Sequence, residues 1–186
     1  MSKRTKKSKD NKDKYTIEIL IQQYEIHKSY TISRITTSKE LNIKIRLPSI
    51  PEDISENIIK FIIHKHGDKS SSWSCKGDLI SKTEGIQECK CFTSTGPLSF
   101  TPVSEWDVIY FLDAREWLSD KLILYKCTLK RSSDKWKSLK VNARQTFEDQ
   151  CLQRRRPRLS WNLLYSQLKD NIEKIFEGTF DDIFTK

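Results

Sequence analysis

Three charged side chains, Asp78, Glu88 and Lys90, are spaced so that they could act together on a phosphate group. Residues i and i+2 of a strand point to the same face, so Glu88 and Lys90 project together. Asp78 would stand at the end of the preceding strand of the same hairpin. Two carboxylates offer the hard oxygen ligands of Mg²⁺, which polarises a phosphate and activates a bound water. The lysine can place that water and offset negative charge on the phosphoryl oxygens. The pattern therefore predicts a metal-dependent site at which water attacks a phosphate.

The neighbours of Glu88 and Lys90 indicate where the pair lies. The same short segment carries Ile86, Cys91 and Phe92, so we expect it near the core, where isolated charges are unfavourable unless they are paired or bound to a metal. The alternative is a surface hairpin in which Glu88 and Lys90 form an exposed pair and the aspartate is a turn residue. The apolar context favours the reactive site.

A second distinctive segment is rich in arginine and glutamine. Guanidinium groups bind phosphates, and arginine and glutamine can pair bidentately with guanine and adenine in the major groove. The alternative is a solvated loop that leads into the last helix. We expect DNA to be bound by Arg144, Gln145, Gln150, Gln153, Arg154, Arg155, Arg156 and Arg158. Ser94 and Thr95 follow the strand that carries Lys90, and we expect them to contact the DNA backbone beside the scissile phosphate.

Apolar periodicity predicts the elements that would position these residues. Helical spacing and end signals predict three helices, over residues 15–27, 51–67 and 160–178. Alternation and β-branched residues predict five strands, over residues 29–47, 73–80, 86–92, 107–113 and 122–129. Residues 81–85 have the length and composition of a hairpin turn. This order of helices and strands predicts an α/β protein.

Asp78, Glu88 and Lys90 resemble the PD-(D/E)xK signature of restriction-endonuclease-like nucleases, although Gly77 stands where the signature has proline. The order of elements over residues 51–176 is similar to the αβββαβ core of that family. The size of the chain and the arginine segment resemble a small type II restriction endonuclease in particular. The resemblance implies a central mixed sheet flanked by helices. It also implies that Asp78 and Glu88 bind Mg²⁺ and that Lys90 serves the nucleophile.

The same resemblance implies a substrate and an assembly. The substrate would be double-stranded DNA, cut at specific sequences by hydrolysis of phosphodiester bonds. Cleavage of both strands of a palindrome requires two copies of one site, so we expect a homodimer with apolar surface on the first or the last helix as its interface. A further acid from the preceding helix often completes such sites. Glu52 and Glu56 are the candidates, but helical phase places both away from the main apolar face of that helix, so neither is assigned.

Charge and composition bound the remaining possibilities. The chain has 186 residues and a formal net charge of +9, and seven basic against two acidic residues lie in residues 1–14. We expect residues 1–14 to be a disordered basic tail and residues 15–186 to be a single nuclease domain. Five cysteines without a CxxC pair, no long apolar run and no signal peptide predict a cytoplasmic protein.

Other functions fit the sequence less well. His64, His66, Cys89 and Cys91 could be written as a zinc set, but their spacing is unusual for zinc. Three histidines give poor support to a histidine-dependent hydrolase, and the sequence has no nucleotide-binding glycine loop, so we expect no nucleotide cofactor. Two alternatives stay open: a DNA repair or junction-resolving nuclease of the same fold, and a non-catalytic DNA-binding protein.

Overall fold

A computed structural model describes residues 15–74 and 77–185, and the predicted basic tail over residues 1–14 lies outside these ranges. The described helices are α1 (Ile17–Glu40), α2 (Glu52–Lys65), α3 (Asp134–Ser138), α4 (Phe147–Leu152) and α5 (Trp161–Leu168). The described strands are β1 (Ser72–Trp73), β2 (Leu79–Ser81), β3 (Gly85–Phe92), β4 (Leu98–Ser99), β5 (Val108–Asp113), β6 (Lys121–Cys127), β7 (Arg158–Leu159) and β8 (Ile172–Thr179). Over these ranges, no helix combines the length and the apolar character of a membrane span.

Six strands form one mixed sheet in the order β1-β2-β3-β5-β6-β8. β3 and β5 are parallel, and the other neighbouring pairs are antiparallel. Alternate side chains of β5 point to opposite faces and join two different apolar clusters. Tyr110 and Leu112 pack with α1 and α2, whereas Ile109 and Phe111 pack with α5. The predicted α/β fold with a central mixed sheet flanked by helices is confirmed.

α2 lies where the sequence predicts a helix. Its side chains Ile58, Ile59 and Ile62 are completely buried, and Glu52 and Asp53 stand in the first turn, where the helix dipole favours negative charge. Pro51 occupies the N-cap position, and no side chain caps this end. Burial of the isoleucine face therefore fixes the helix against the sheet.

The strand predicted over residues 29–47 is wrong, because α1 continues to Glu40 and residues 43–51 have no regular structure. Tyr24 anchors this helix: its ring stacks on Phe180 with centroids 3.8 Å apart, and its hydroxyl donates to the Trp117 carbonyl at 3.0 Å. The Thr31 hydroxyl donates to the carbonyl one turn earlier at 2.9 Å. Tertiary contacts thus override the strand preference of the β-branched residues.

The predicted helix over residues 160–178 is wrong in its second half. α5 ends at Leu168, a 3-10 turn follows over Lys169–Asn171, and β8 then pairs with β6. Ile172, Ile175 and Phe176 fit a helical spacing, but only Phe176 is buried. Pairing satisfies the backbone groups that β6 would otherwise expose at the sheet edge, and this outweighs the local pattern.

A small second sheet joins two segments that are far apart in the sequence. β4 pairs with β7 in the register Leu98↔Leu159 and Ser99↔Arg158. The Phe100 N–H also donates to the Pro157 carbonyl at 3.0 Å. The loop after β3 is thereby tied to the arginine-rich segment.

Candidate active site and nucleic-acid interface

The candidate active site lies beside the second half of β3. β2 pairs only with residues 85–87 of β3, so among the described residues no strand covers the edge of β3 beyond that point. A cavity of about 680 Å³ follows this edge. The strand predicted over residues 73–80 is in fact the two short strands β1 and β2, separated by a segment that includes a bend at Gly77 and Asp78. Asp78 thereby enters the cavity wall.

Gly77 lets Asp78 approach β3 closely. A Cβ atom at residue 77 would lie 2.6 Å from the Ile86 side chain and 3.3 Å from the Gln87 carbonyl oxygen, which is too close for any other residue without a shift. The Asp78 carboxylate accepts a hydrogen bond from the Cys89 N–H at 2.8 Å. The departure from proline at this position therefore has a packing reason, and the main chain of β3 holds the aspartate.

Glu88 and Lys90 project from the same face of β3 and form an ion pair. Glu88 is 6% exposed, and burial raises its pKa while the Lys90 charge opposes and the Asp78 charge adds to that rise. The pKa of Lys90 is raised, because the attraction of Glu88 and Asp78 exceeds the effect of burial. Lys90 is thus held as an ammonium ion beside the two carboxylates.

Of the two acids that the sequence left open, Glu56 is buried, and its expected position away from the buried side of the helix is wrong. It lies one helical turn into α2, is 6% exposed and lines the same cavity, whereas Glu52 is exposed at the rim. Burial strongly raises the pKa of the Cys89 thiol, and the charges of Asp78, Glu56 and Glu88 raise it further. Three carboxylates therefore surround this part of β3. The sequence signal for Glu56 is its place in a run of three polar residues, Ser55–Asn57, that lies between the buried Ile54 and Ile58.

The donor set suits a hard divalent cation. Over residues 15–74 and 77–185, no group of three or more His, Cys, Asp or Glu side chains is arranged to hold a metal ion. Mg²⁺ is commonly bound by one or two carboxylates, keeps several waters and is completed by substrate phosphates. Asp78 and Glu88 offer such a pair of carboxylates. Burial raises the pKa of the Cys91 thiol to about 12, so this thiol is protonated at neutral pH in the metal-free protein.

The arginine-rich segment reaches the cavity through one residue. Arg156 lines the cavity with Asp78 and Lys90, while the neighbouring Arg154 and Arg155 are exposed. Arg154 has a positive φ of 55°, and the Arg155 N–H donates to the carbonyl of Gln150 at 2.9 Å. The small β4–β7 sheet, which follows this turn in the chain, holds the arginine-rich segment beside the site.

Other predicted DNA contacts lie at different distances from the cavity. Ser94 lines it, and its hydroxyl accepts the Gly96 N–H at 3.3 Å. Thr95, Arg144 and Arg158 are exposed and are not part of its wall. The three glutamines are hydrogen-bonded to one another: Gln145 donates to Gln153 at 3.3 Å, and Gln150 donates to Gln145 at 3.2 Å. Asn142 donates to this group at 3.4 Å and was not predicted.

Comparison with known proteins supplies independent information. Residues 7–167 match the family model described as Bsp6I restriction endonuclease. The chain is 32% identical over 129 residues to the type II restriction enzyme Bsp6I of Bacillus sp. (strain RFL6), an alignment that covers 66% of this chain and 71% of the relative. No solved structure matches the chain. The matched family range includes all the residues of the cavity and of the arginine-rich segment.

Proposed function

The chain belongs to the Bsp6I restriction endonuclease family, and from this premise we propose that it is a type II restriction endonuclease that uses Mg²⁺ to hydrolyse double-stranded DNA at specific sequences. We place it in the cytoplasm, where it would meet foreign DNA. The observation that carries the proposal is one cavity that joins Asp78, Glu88 and Lys90 to Arg156. An acidic pair for a cation and a cationic group for a phosphate face the same space.

The described residues support a division of roles. Asp78 and Glu88 would hold Mg²⁺, which when bound polarises the scissile phosphate and lowers the pKa of a water molecule. Lys90, held as an ammonium ion, would orient the attacking water and offset charge on the phosphoryl oxygens. Water attacks the phosphorus in line, and the bond to the leaving sugar oxygen breaks. Glu56 would act as a further acid in the same cavity.

DNA would be held by the surface next to the cavity. Arg156 would grip a phosphate at the site, and Ser94 and Thr95 would contact the same backbone. The residues farther out would add phosphate contacts and read base edges. They are the exposed Arg144, Gln153, Arg154, Arg155 and Arg158 and the half-buried Gln145 and Gln150.

We also propose a homodimer, with α1 as the contact between copies. α1 buries only one side on the protomer, and apolar side chains around the rest of the helix remain exposed, among them Ile19, Ile26, Tyr30 and Ile32. A helix that is apolar on most sides is normally covered. The double substitution of Ile26 and Tyr30 by lysine is expected to convert a dimer into monomers in analytical ultracentrifugation. A wild-type chain that sediments as a monomer contradicts the dimer.

A plasmid digest tests the nuclease. The full chain is incubated with plasmid DNA with and without Mg²⁺ at two salt concentrations, and the ends are mapped by sequencing. We expect discrete Mg²⁺-dependent fragments that share one short sequence. A smear, or cutting only at branched DNA, would favour the junction-resolving alternative, and salt-sensitive binding without cleavage would favour a non-catalytic protein.

A further inference from the structure

The three glutamines of the proposed DNA surface share a neighbour with no assigned role. We propose that Asn142 is a positioning residue that fixes Gln145, Gln150 and Gln153 as one preformed base-reading group. This inference rests on the proposed endonuclease function and adds a determinant of sequence preference to it. Its support is a set of hydrogen bonds on an exposed loop, where side chains usually rotate freely.

Asn142 holds both the loop and an amide side chain. Its Oδ1 atom accepts the N–H groups of Arg144 at 2.9 Å and of Gln145 at 3.0 Å, which closes a tight turn. Its Nδ2 atom donates to Gln145 Oε1 at 3.4 Å. One exposed side chain therefore orients the main chain and the glutamine together.

Gln145 is the centre of the group. Its Oε1 atom accepts from Asn142 and from Gln150, and its Nε2 atom donates to Gln153. Both ends of this amide are in use, so its orientation is defined. Within the described part of the chain, the Gln150 Oε1 and Gln153 Nε2 atoms keep their hydrogen-bonding capacity. They leave one acceptor and one donor for contacts with base edges.

The loop over residues 140–146 is also held at its two ends. Lys140 and Thr146 form a β-bridge, and the Gln167 side chain of α5 both donates to and accepts from the Lys140 main chain, at 3.1 and 2.8 Å. Thr146 and Asp149 form a capping box that starts α4. The loop 140–146 is thus a rigid platform on which the amide group stands.

The protein itself gains little stability from these contacts. Exposed hydrogen bonds between neutral side chains contribute weakly to folding, and the conformational entropy that an ordered glutamine side chain loses opposes them. A partner gains more, because side chains that are ordered before binding lower the entropic cost of recognition. Arg154 and Arg155 follow the group directly and would place it against a phosphate backbone.

The experiment compares the sequence preference of variants. Asn142→Ala removes both roles of the side chain, whereas Asn142→Asp keeps the acceptor for the two N–H groups and removes the donor to Gln145. Asn162→Ala is the matched control, since Asn162 is an exposed asparagine on α5 that takes no part in the hydrogen bonds of the three glutamines. Each protein digests a library of randomised duplexes with Mg²⁺. Sequencing then gives the cleavage rate at the preferred site and at every single-base neighbour, and thermal unfolding is recorded in parallel.

We expect both Asn142 variants to lower the ratio between preferred and single-mismatch cleavage on the order of ten-fold. The rate at the preferred site should fall only a few-fold, and Asn142→Asp should unfold at the wild-type temperature. Asn162→Ala should retain the wild-type preference.

Two results would overturn the positioning role: an unchanged preference in Asn142→Asp, or an equal fall in rate at every sequence. If the wild-type chain cuts no duplex at all, the endonuclease proposal itself fails, and this outcome is distinct from an unchanged preference.

Discussion

The edge of β3 and the loop 140–146 are two polar regions of one molecule that are built in opposite ways. At the β3 edge, Glu88 and Lys90 are charged and largely withdrawn from water, so each interaction is strong and the pKa of both groups is shifted. In the loop, Asn142 and Gln145 are neutral and exposed or half-buried, and their order comes from many weak hydrogen bonds. If the proposed function holds, the contrast predicts that few residues carry the reaction and that many share the recognition of DNA.

The largest expected effect is at the β3 edge. Asp78→Asn, Glu88→Gln and Lys90→Met each remove a charge from the cavity and should lower Mg²⁺-dependent cleavage on the order of a thousand-fold. DNA binding, measured by gel shift without Mg²⁺, should stay within a few-fold of wild type. Lys82→Ala, at an exposed lysine in the hairpin turn, is the control and should cut normally. Full activity in any one of the first three variants would remove the proposed catalytic role of that residue.

Glu56 tests how far the catalytic region extends. Glu56→Gln keeps the shape of a buried side chain and removes its charge, so we expect a loss of about 10–100-fold in cleavage rate and a higher Mg²⁺ requirement. Glu52→Gln, at the exposed rim of the same cavity, should change either quantity less than three-fold. If Glu56→Gln and Glu52→Gln change the cleavage rate and the Mg²⁺ requirement equally, the buried glutamate has no special role in cleavage. A Mg²⁺ titration of cleavage rate measures both.

Arg156 lines the cavity and belongs to the arginine-rich segment, so its substitution should affect both cleavage and DNA binding. Arg156→Ala removes one contact with phosphate, so the slope of log binding constant against log salt should become shallower by about one unit. Because this residue also faces the cavity, cleavage of bound DNA should slow by several-fold. Lys69→Ala makes the same change of charge at an exposed residue between α2 and β1 and should alter neither value. Fluorescence anisotropy at a series of salt concentrations gives the slope.

A third charged cluster, around Glu84, is partly buried like the β3 edge but has no proposed role in cleavage. Glu84 accepts hydrogen bonds from Lys126, Tyr110 and Gln87, and these contacts lower its pKa although burial opposes them. A carboxylate with a lowered pKa stabilises the fold above its ordinary pKa near 4.5, and this contribution is lost as the pH falls through the lowered value.

Glu84→Gln should therefore lower stability by about 1–3 kcal/mol at pH 7, and its Tm should approach that of wild type as the pH falls below about 4. Thermal unfolding followed by circular dichroism between pH 3 and 7 measures the gap. Cleavage by folded protein at pH 7 should be unchanged. A gap that widens on acidification would mean that Glu84 is not ionised in the folded protein.

Local sequence patterns predicted the parts of the fold in which they agree with burial. α2, β3, β5 and β6 lie where expected, since their apolar residues match the face that each element buries. The predictions were wrong where the local pattern fitted both a helix and a strand. Residues 29–40 are helical because Tyr24 and Lys28 fix α1 against the body of the protein, and Ile172–Thr179 form a strand because β6 has backbone groups to pair.

The amino-acid sequence alone supplies the residues of the proposed chemistry: the types and spacing of Asp78, Glu88 and Lys90, and the arginines and glutamines that suit DNA. The tertiary structure decided which groups face one cavity, because a short β2 leaves the edge of β3 open, α2 turns Glu56 toward it, and the β4–β7 pair brings Arg156 beside it. Strand periodicity is local and can be read from neighbours in the chain. Packing between distant segments depends on long-range contacts that no local pattern contains.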